Sequence, residues 1–175
     1  VYWCADDQIG GYLDSWIQFL DTPTFTVPAD AVLTADMAWG IEDYSEASVS
    51  GTCTDGWDAA NVRISTDGGD SWELLNGSLP YDFDCGYGWI WNDDEYDDGG
   101  ELNHLASGWG GVKDWSNISF DLSAYSGQNV IVRFAFGSDP AYSTPDDDSL
   151  IGIYIDNILT KLTTIGSLYL TGCLS

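Results

Sequence analysis

Residues 129–136 read NVIVRFAF, and the fold turns on how this octapeptide is read. Val130, Val132, Phe134 and Phe136 fall on one side of an extended backbone, and Ile131, Arg133 and Ala135 fall on the other. A period of two marks a strand with one face in a core, and the β-branched and aromatic content suits a pleated surface. Working outward, further runs of strand character occupy 15–20, 22–27, 31–41, 58–66, 71–75, 115–121, 150–160 and 163–171, with 128–137 around the octapeptide itself. Clusters of Gly, Asp, Ser and Pro separate them, and no stretch sustains the 3.6-residue apolar period of a helix. The pattern predicts an all-β fold: two packed antiparallel sheets, a β-sandwich or jelly roll, over residues 1–160. The tail 161–175 is read as an extra strand, pairing either with its own sheet edge or with a neighbour.

The stretch ISTDGGDSW at 64–72 reads as a hairpin. Gly68 and Gly69 can take positive φ without a Cβ clash, Asp67 can accept hydrogen bonds from amides further along, and Trp72 can cover the turn. A rigid turn is the expectation, with ligand binding by Asp67 or Asp70 as its alternative.

Charge bounds the partners. The 175 residues carry 29 acidic side chains against four basic ones, Arg63, Lys113, Arg133 and Lys161, for a net charge of −25. Yet 44% of residues are hydrophobic, including nine tryptophans, ten tyrosines and six phenylalanines, which is enough to build a core. Such a chain presents no nucleic-acid surface and is disfavoured on anionic lipid; it has no apolar run long enough to span a bilayer. Two carboxylates about 4 Å apart repel by roughly 1 kcal/mol in water and roughly 4 kcal/mol where partly buried. Four basic residues cannot neutralise 29 acids, so divalent cations are the natural remedy, calcium above all because it takes six to eight oxygens in loose geometry. Screening by high salt is the competing remedy.

Four cysteines, Cys4, Cys53, Cys85 and Cys173, are too widely spaced for a zinc knuckle. Two disulfides are expected, with Cys4–Cys173 and Cys53–Cys85 favoured among three open connectivities. With no initiating Met or signal segment, the sequence fits a processed, secreted chain. Asn76 in NGS and Asn117 in NIS are glycosylation sequons that would mark exposed loops.

Residues 80–113 break the rhythm with a long acidic-aromatic insertion. Its aromatics either form a satellite core or, as Trp89, Trp91, Trp109 and Tyr96, offer flat faces to a sugar or a protein, with Asp93, Asp94 and Asp97 supplying hydrogen bonds or calcium ligands.

Taken in order, GGYLDSWIQFLDTPTFTV, DGWDAANVRISTDGGDSWELL, DWSNISFDLSAYSGQNVIVRFAFGSD and IGIYIDNI resemble the MAM-like jelly-roll modules of secreted bacterial proteins, including those attached to immune-inhibitor-A-type metallopeptidases. The resemblance runs from about Gly11 to Leu159, and its most specific pieces are an aspartate-box pattern at Ser65, Asp67, Gly69, Ser71 and Trp72, the DLSAYSGQ turn before a long strand, and IDNI at the end. It implies a structural role for that box. It also implies that Asp156, in the terminal Asp-Asn pair, meets acids of an earlier loop at a sheet edge. Asp55 and Asp58, with Glu42 and Asp43 behind them, are the candidates to join Asp156 on calcium; Asp146, Asp147 and Asp148 form either a solvated loop or a second site. The insertion and the tail depart from the family pattern.

Catalysis is not expected. His104 is the single histidine, the His-Glu-x-x-His zinc pattern is missing, and no serine or cysteine sits in a nucleophile setting. The leading expectation is a non-catalytic extracellular structural or adhesive module, stabilised by calcium and self-assembling into a surface filament or lattice with other copies or a surface protein. The alternative is a carbohydrate-binding accessory module of a secreted hydrolase, with polysaccharide as partner.

Overall fold

A computed structural model describes residues 1–48, 53–92, 105–162 and 167–169. Its elements in chain order are β1 (Tyr2–Cys4), β2 (Ile17–Asp21), β3 (Phe25–Thr26), β4 (Ala31–Gly40), β5 (Asp55–Gly56), β6 (Ala59–Ser65), β7 (Glu73–Leu74), β8 (Cys85–Gly86), α1 (Tyr87–Asn92), β9 (Val112–Asp121), a 3-10 turn at Ser123–Tyr125, β10 (Asn129–Gly137), β11 (Gly152–Leu162) and β12 (Ser167–Tyr169). One antiparallel sheet runs β1-β11-β4-β9, and β12 is added to β11. The other runs β2-β10-β6-β7, and β3 is added to β10. The two pack together as a sandwich, and a short parallel pair, β5 with β8, lies outside both.

The alternation in 129–136 is realised: Val130, Val132, Phe134 and Phe136 are buried between the sheets. They meet Leu33, Ala35 and Met37 of β4, Ile153 and Ile155 of β11, and Val62 and Ile64 of β6 in one cluster. The aspartate-box hairpin closes β6 onto β7. Gly68 and Gly69 hold φ of 83° and 102°. Ser65 Oγ donates to Asp67 Oδ1 at 2.8 Å, the Ser71 amide donates to the same oxygen at 3.0 Å, and Trp72 Nε1 donates to Gly69 O at 3.1 Å. The box thus folds as a turn clip. The tail strand β12 pairs with the far half of β11, Leu159 opposite Tyr169, and so extends its own sheet.

The described part of the insertion lies on the reverse face of the second sheet. Phe83, Cys85, Trp89, Ile90 and Ala106 form a satellite core with Ala59 of β6 and Ala135 of β10. Every residue of β6 is buried for that reason, so the alternation of AANVRIS does not appear in its exposure. The helix α1 was not expected, because six residues are too few to display a helical period. It lies against the end of β10: a Cβ on Gly88 would stand 2.2 Å from Gly137 O, and one on Gly137 would meet the Trp89 ring at 2.9 Å. Only glycines permit that approach.

Cys53 and Cys85 form a disulfide across a sequence separation of 32. Cys4 is a buried free thiol among the described residues, pushed up to about 11 by burial; its expected partner Cys173 lies outside them. Replacing Cys53 and Cys85 together by serine is expected to lower the unfolding free energy by about 3 to 4 kcal/mol, the entropy of closing a loop of this length. Urea unfolding of the oxidised protein against the double variant measures it, and a loss below about 1 kcal/mol would show the bridge to be incidental.

Candidate metal centre

Three strand ends meet at one end of the sandwich. Asp58 directly precedes β6, Asp139 lies just past β10, and Glu42 lies just past β4. Because β6 and β10 are antiparallel with Ala59 opposite Gly137, the start of one and the finish of the other coincide. One carboxylate oxygen each from Glu42, Asp58 and Asp139 lies within 4.8 Å of the others. Asp58 has no exposed surface; Tyr12 Oη donates to its Oδ2 and the Asp139 amide donates to its Oδ1 at 2.9 Å. Tyr12 is itself fully buried, edge-on to Phe136 at 4.9 Å. The Ala141 amide fixes Asp139 Oδ1 at 2.9 Å. Glu42 Oε2 is buried and accepts no hydrogen bond.

Burial dominates the electrostatics. It pushes the Glu42 carboxyl up to about 8, with repulsion from Asp58, Asp139, Asp14 and Asp43 adding to it. It pushes Asp58 up to about 7 against the hydrogen bonds from Tyr12 and the Asp139 amide. Asp139 rises for the same reason, and the Tyr12 hydroxyl is held neutral by burial and by the Asp58 charge beside it. With no cation, three ionised carboxylates at this separation repel by roughly 3 to 4 kcal/mol per pair at an effective dielectric of about 20. The site therefore takes up protons or a metal. The donor set suits calcium: oxygens on one calcium ion lie about 2.3–2.6 Å from it and so up to about 5 Å apart, and the orphaned Glu42 Oε2 is a ligand atom in want of a partner.

Of the sequence candidates, Glu42 and Asp58 join this centre, and the others are placed elsewhere. Asp156 does not approach it. With Ile155 in the core, alternation along β11 turns Asp156 to the outer face, opposite Asp36 of β4, where its Oδ1 accepts from the Asn157 amide at 2.8 Å. Asp55 pairs with Cys85 beside the disulfide, whose bonded sulfurs are no thiolate ligands. Asp43 Oδ1 accepts from the Ser45 amide at 2.8 Å and caps an exposed turn. Asp146 accepts from the Ser143 amide at 3.2 Å, Asp147 from Ser149, and Asp148 is exposed, so these three serve a solvated loop and form no ligand group among the described residues. Asp139 and Tyr12 were missed. The available signal was positional: an acid just past one strand and an acid just before its antiparallel partner share a sheet end.

Of the aromatic candidates, Trp109 and Trp89 do not present open faces. Trp109 is fully buried, stacked on Trp39 at 5.3 Å, with Nε1 donating to Pro80 O at 2.9 Å. Trp89 is 1% exposed, with Arg63 over its ring at 4.2 Å and Phe19 stacked beyond. Trp91 falls in α1, while Tyr96, Asp93, Asp94, Asp97 and His104 lie outside the described residues. The sequon residues Asn76 and Asn117 are both exposed, but Asn117 sits in the middle of β9 and not in a loop.

The raised carboxyls set a pH dependence. Folded, Glu42 and Asp58 hold protons up to about 8 and about 7, whereas the unfolded chain releases them near 4. Folding therefore takes up protons between those limits, and metal-free stability falls as pH rises from about 4 to about 8. Glu42→Gln removes one such group without changing its shape. In chelator it is expected to melt a few degrees above wild type at pH 8 and level with it at pH 4. Equal melting at both pH values would show that Glu42 carries no strain of charge.

A scan against models of known protein families finds no match to this chain, and a search of curated proteins finds none.

Proposed function

We propose that the chain is a calcium-stabilised, non-catalytic structural or adhesive module of the extracellular space, with its strands in a jelly-roll course of the MAM-like kind. The carrying observation is the group Glu42, Asp58 and Asp139 with its unpartnered Glu42 Oε2. Calcium held there would supply the positive charge that the protein itself does not, and would tie β4 of one sheet to β6 and β10 of the other. The disulfide fits an oxidising compartment. No helix is long and apolar enough to cross a membrane among the described residues.

A structural role suits the centre better than a catalytic one. Asp58 is sealed from solvent, and its two oxygens are occupied by Tyr12 and a backbone amide, so no substrate reaches them as a base or nucleophile. For assembly, a net charge of −25 opposes contact between copies, and calcium is the agent that would reduce that repulsion. Exposed apolar side chains at Val112, Phe19 and Tyr142 provide surface for such contacts.

Calcium at about 100 times its dissociation constant is expected to add about 2.7 kcal/mol, which is about 5 to 11 °C of melting temperature for a chain of this size. Chelator should reverse the gain, and Glu42→Gln should abolish it. An unchanged melt at low salt would remove the site. Electron microscopy with and without calcium reads assembly: filaments or lattices with calcium are expected, and single particles under both conditions would remove the assembly half of the proposal.

A further inference from the structure

The outer face of the β1-β11-β4-β9 sheet carries two adjoining rows of side chains that the calcium centre does not use. In the first, Trp3 of β1 lies opposite Tyr154 of β11, which lies opposite Ala38 of β4. Trp3 and Tyr154 are stacked, centroids 5.3 Å apart and planes 11° apart, and Trp115 of β9 reaches across the small Ala38 to Tyr154 at 6.3 Å. Trp115 is 52% exposed, while the other aromatic rings of β4 and β9, Trp39 and Phe120, are buried. In the second row Asp156, Asp36 and Asn117 lie side by side across three strands. A groove lies along the polar row beside Trp115, lined by Asp36, Trp115, Ser116, Asn117, Asp156 and Asn157.

The polar row is built in place. Asp36 Oδ1 accepts from Asn117 Nδ2 at 2.7 Å, and its Oδ2 accepts from Asn157 Nδ2 at 2.8 Å. Asn157 reaches it from a positive φ of 48°, at the register shift between Asp156 and Leu159. Bulges of this kind re-aim a side chain, and a non-glycine residue at positive φ has a conformational cost that the surroundings must hold. Here the re-aimed group is an amide over a carboxylate on an open face.

We propose that this face docks a neutral hexopyranose chain. Its chemistry is two-sided in the way a pyranose is: the half-exposed Trp115 ring, backed by the Trp3–Tyr154 stack, accepts the C–H face of a sugar, and carboxylate and amide groups one pleat away exchange hydrogen bonds with its hydroxyls. The rows are two residues apart along each strand, about 7 Å, a span that one ring with its hydroxyls bridges. Charge selects among glycans, since Asp36 and Asp156 accept hydroxyl protons but repel uronates and sulfate esters. The surface stands apart from the calcium centre and would give an adhesive module its partner.

Affinity electrophoresis of the full chain, made in a host that adds no N-glycans, tests it. Native gels contain hydroxyethylcellulose, galactomannan or xylan, with alginate as the anionic control. At least one neutral polysaccharide is expected to retard the protein and alginate none. Trp115→Ala should weaken that retardation at least tenfold while leaving the melting temperature and the calcium response unchanged, because the ring is half in solvent. Glu42→Gln should lose the calcium response and keep the retardation, so the two sites fail separately. No retardation in any neutral gel, or retardation that survives Trp115→Ala, overturns the proposal. Self-association in sedimentation velocity that Trp115→Ala abolishes, without retardation, also overturns it and assigns the face to contact between copies.

Discussion

The pairing of β10 with β6 is the constraint on which the rest of the molecule depends. Val132 lies opposite Ile64, Phe134 opposite Val62, Phe136 opposite Ala60 and Gly137 opposite Ala59. A slip of one residue would turn the whole apolar set outward, so burial of this face fixes the register. That register also brings Asp58 and Asp139 to a common end. The same apolar alternation that makes the core therefore assembles two of the three clustered acids, the two that are buried.

The acids are left uncompensated because the arginines are committed elsewhere. Arg133 makes a paired hydrogen bond to Asp21, at 2.7 Å for both contacts, and lies between Phe19 and Trp72 at 4.0 and 3.9 Å. Arg63 is buried, donates to Asn61 Oδ1 at 2.9 Å and covers Trp89. Arg63 holds the reverse face of the second sheet to Trp89 of the insertion, and Arg133 ties β2 to Trp72 of the hairpin, a use of planar, weakly hydrated cations against aromatic rings. No salt bridge reaches Glu42, Asp58 or Asp139 among the described residues. A scarcity of cations visible in composition thus becomes a local condition at the centre among the described residues.

Much of this was legible in the sequence, for physical reasons. Alternation in NVIVRFAF reports a strand because a pleat has a period of two, and the Ser65, Asp67 and Ser71 pattern reports its turn because every bond in it is local. The Cys53–Cys85 bridge was the favoured pairing among three open connectivities. Glu42 and Asp58 were named only as candidates to join Asp156, which lies on the outer face away from them. Asp139 was not, since its closeness to Asp58 exists only after β10 has paired with β6, 81 residues apart in sequence. Which aromatics would be covered was the other point left open between a satellite core and open faces. Trp89 and Trp109 are covered while Trp115 is open, and an indole carries no local mark of which neighbours will lie on it.

The insertion and the centre are mechanically one region. Asp55 and Gly56 pair with Cys85 and Gly86, the Gly88 amide donates to Trp57 O at 2.9 Å, and the Trp109 amide donates to Ala60 O at 2.8 Å. The residues on either side of Asp58 are thereby held by chain from the insertion, which the disulfide anchors at Cys85. Across the gap, the Gly111 amide donates to Glu42 O at 2.8 Å, so the far end of the insertion also steadies the loop that carries Glu42. Two of the three acids take their positions from this excursion and the third from β10, against whose end α1 packs through Gly88 and Gly137. An excursion that looks dispensable to a sandwich is what holds the chain on both sides of Asp58 and the loop of Glu42, two of the three acids whose carboxylate oxygens lie within 4.8 Å of one another.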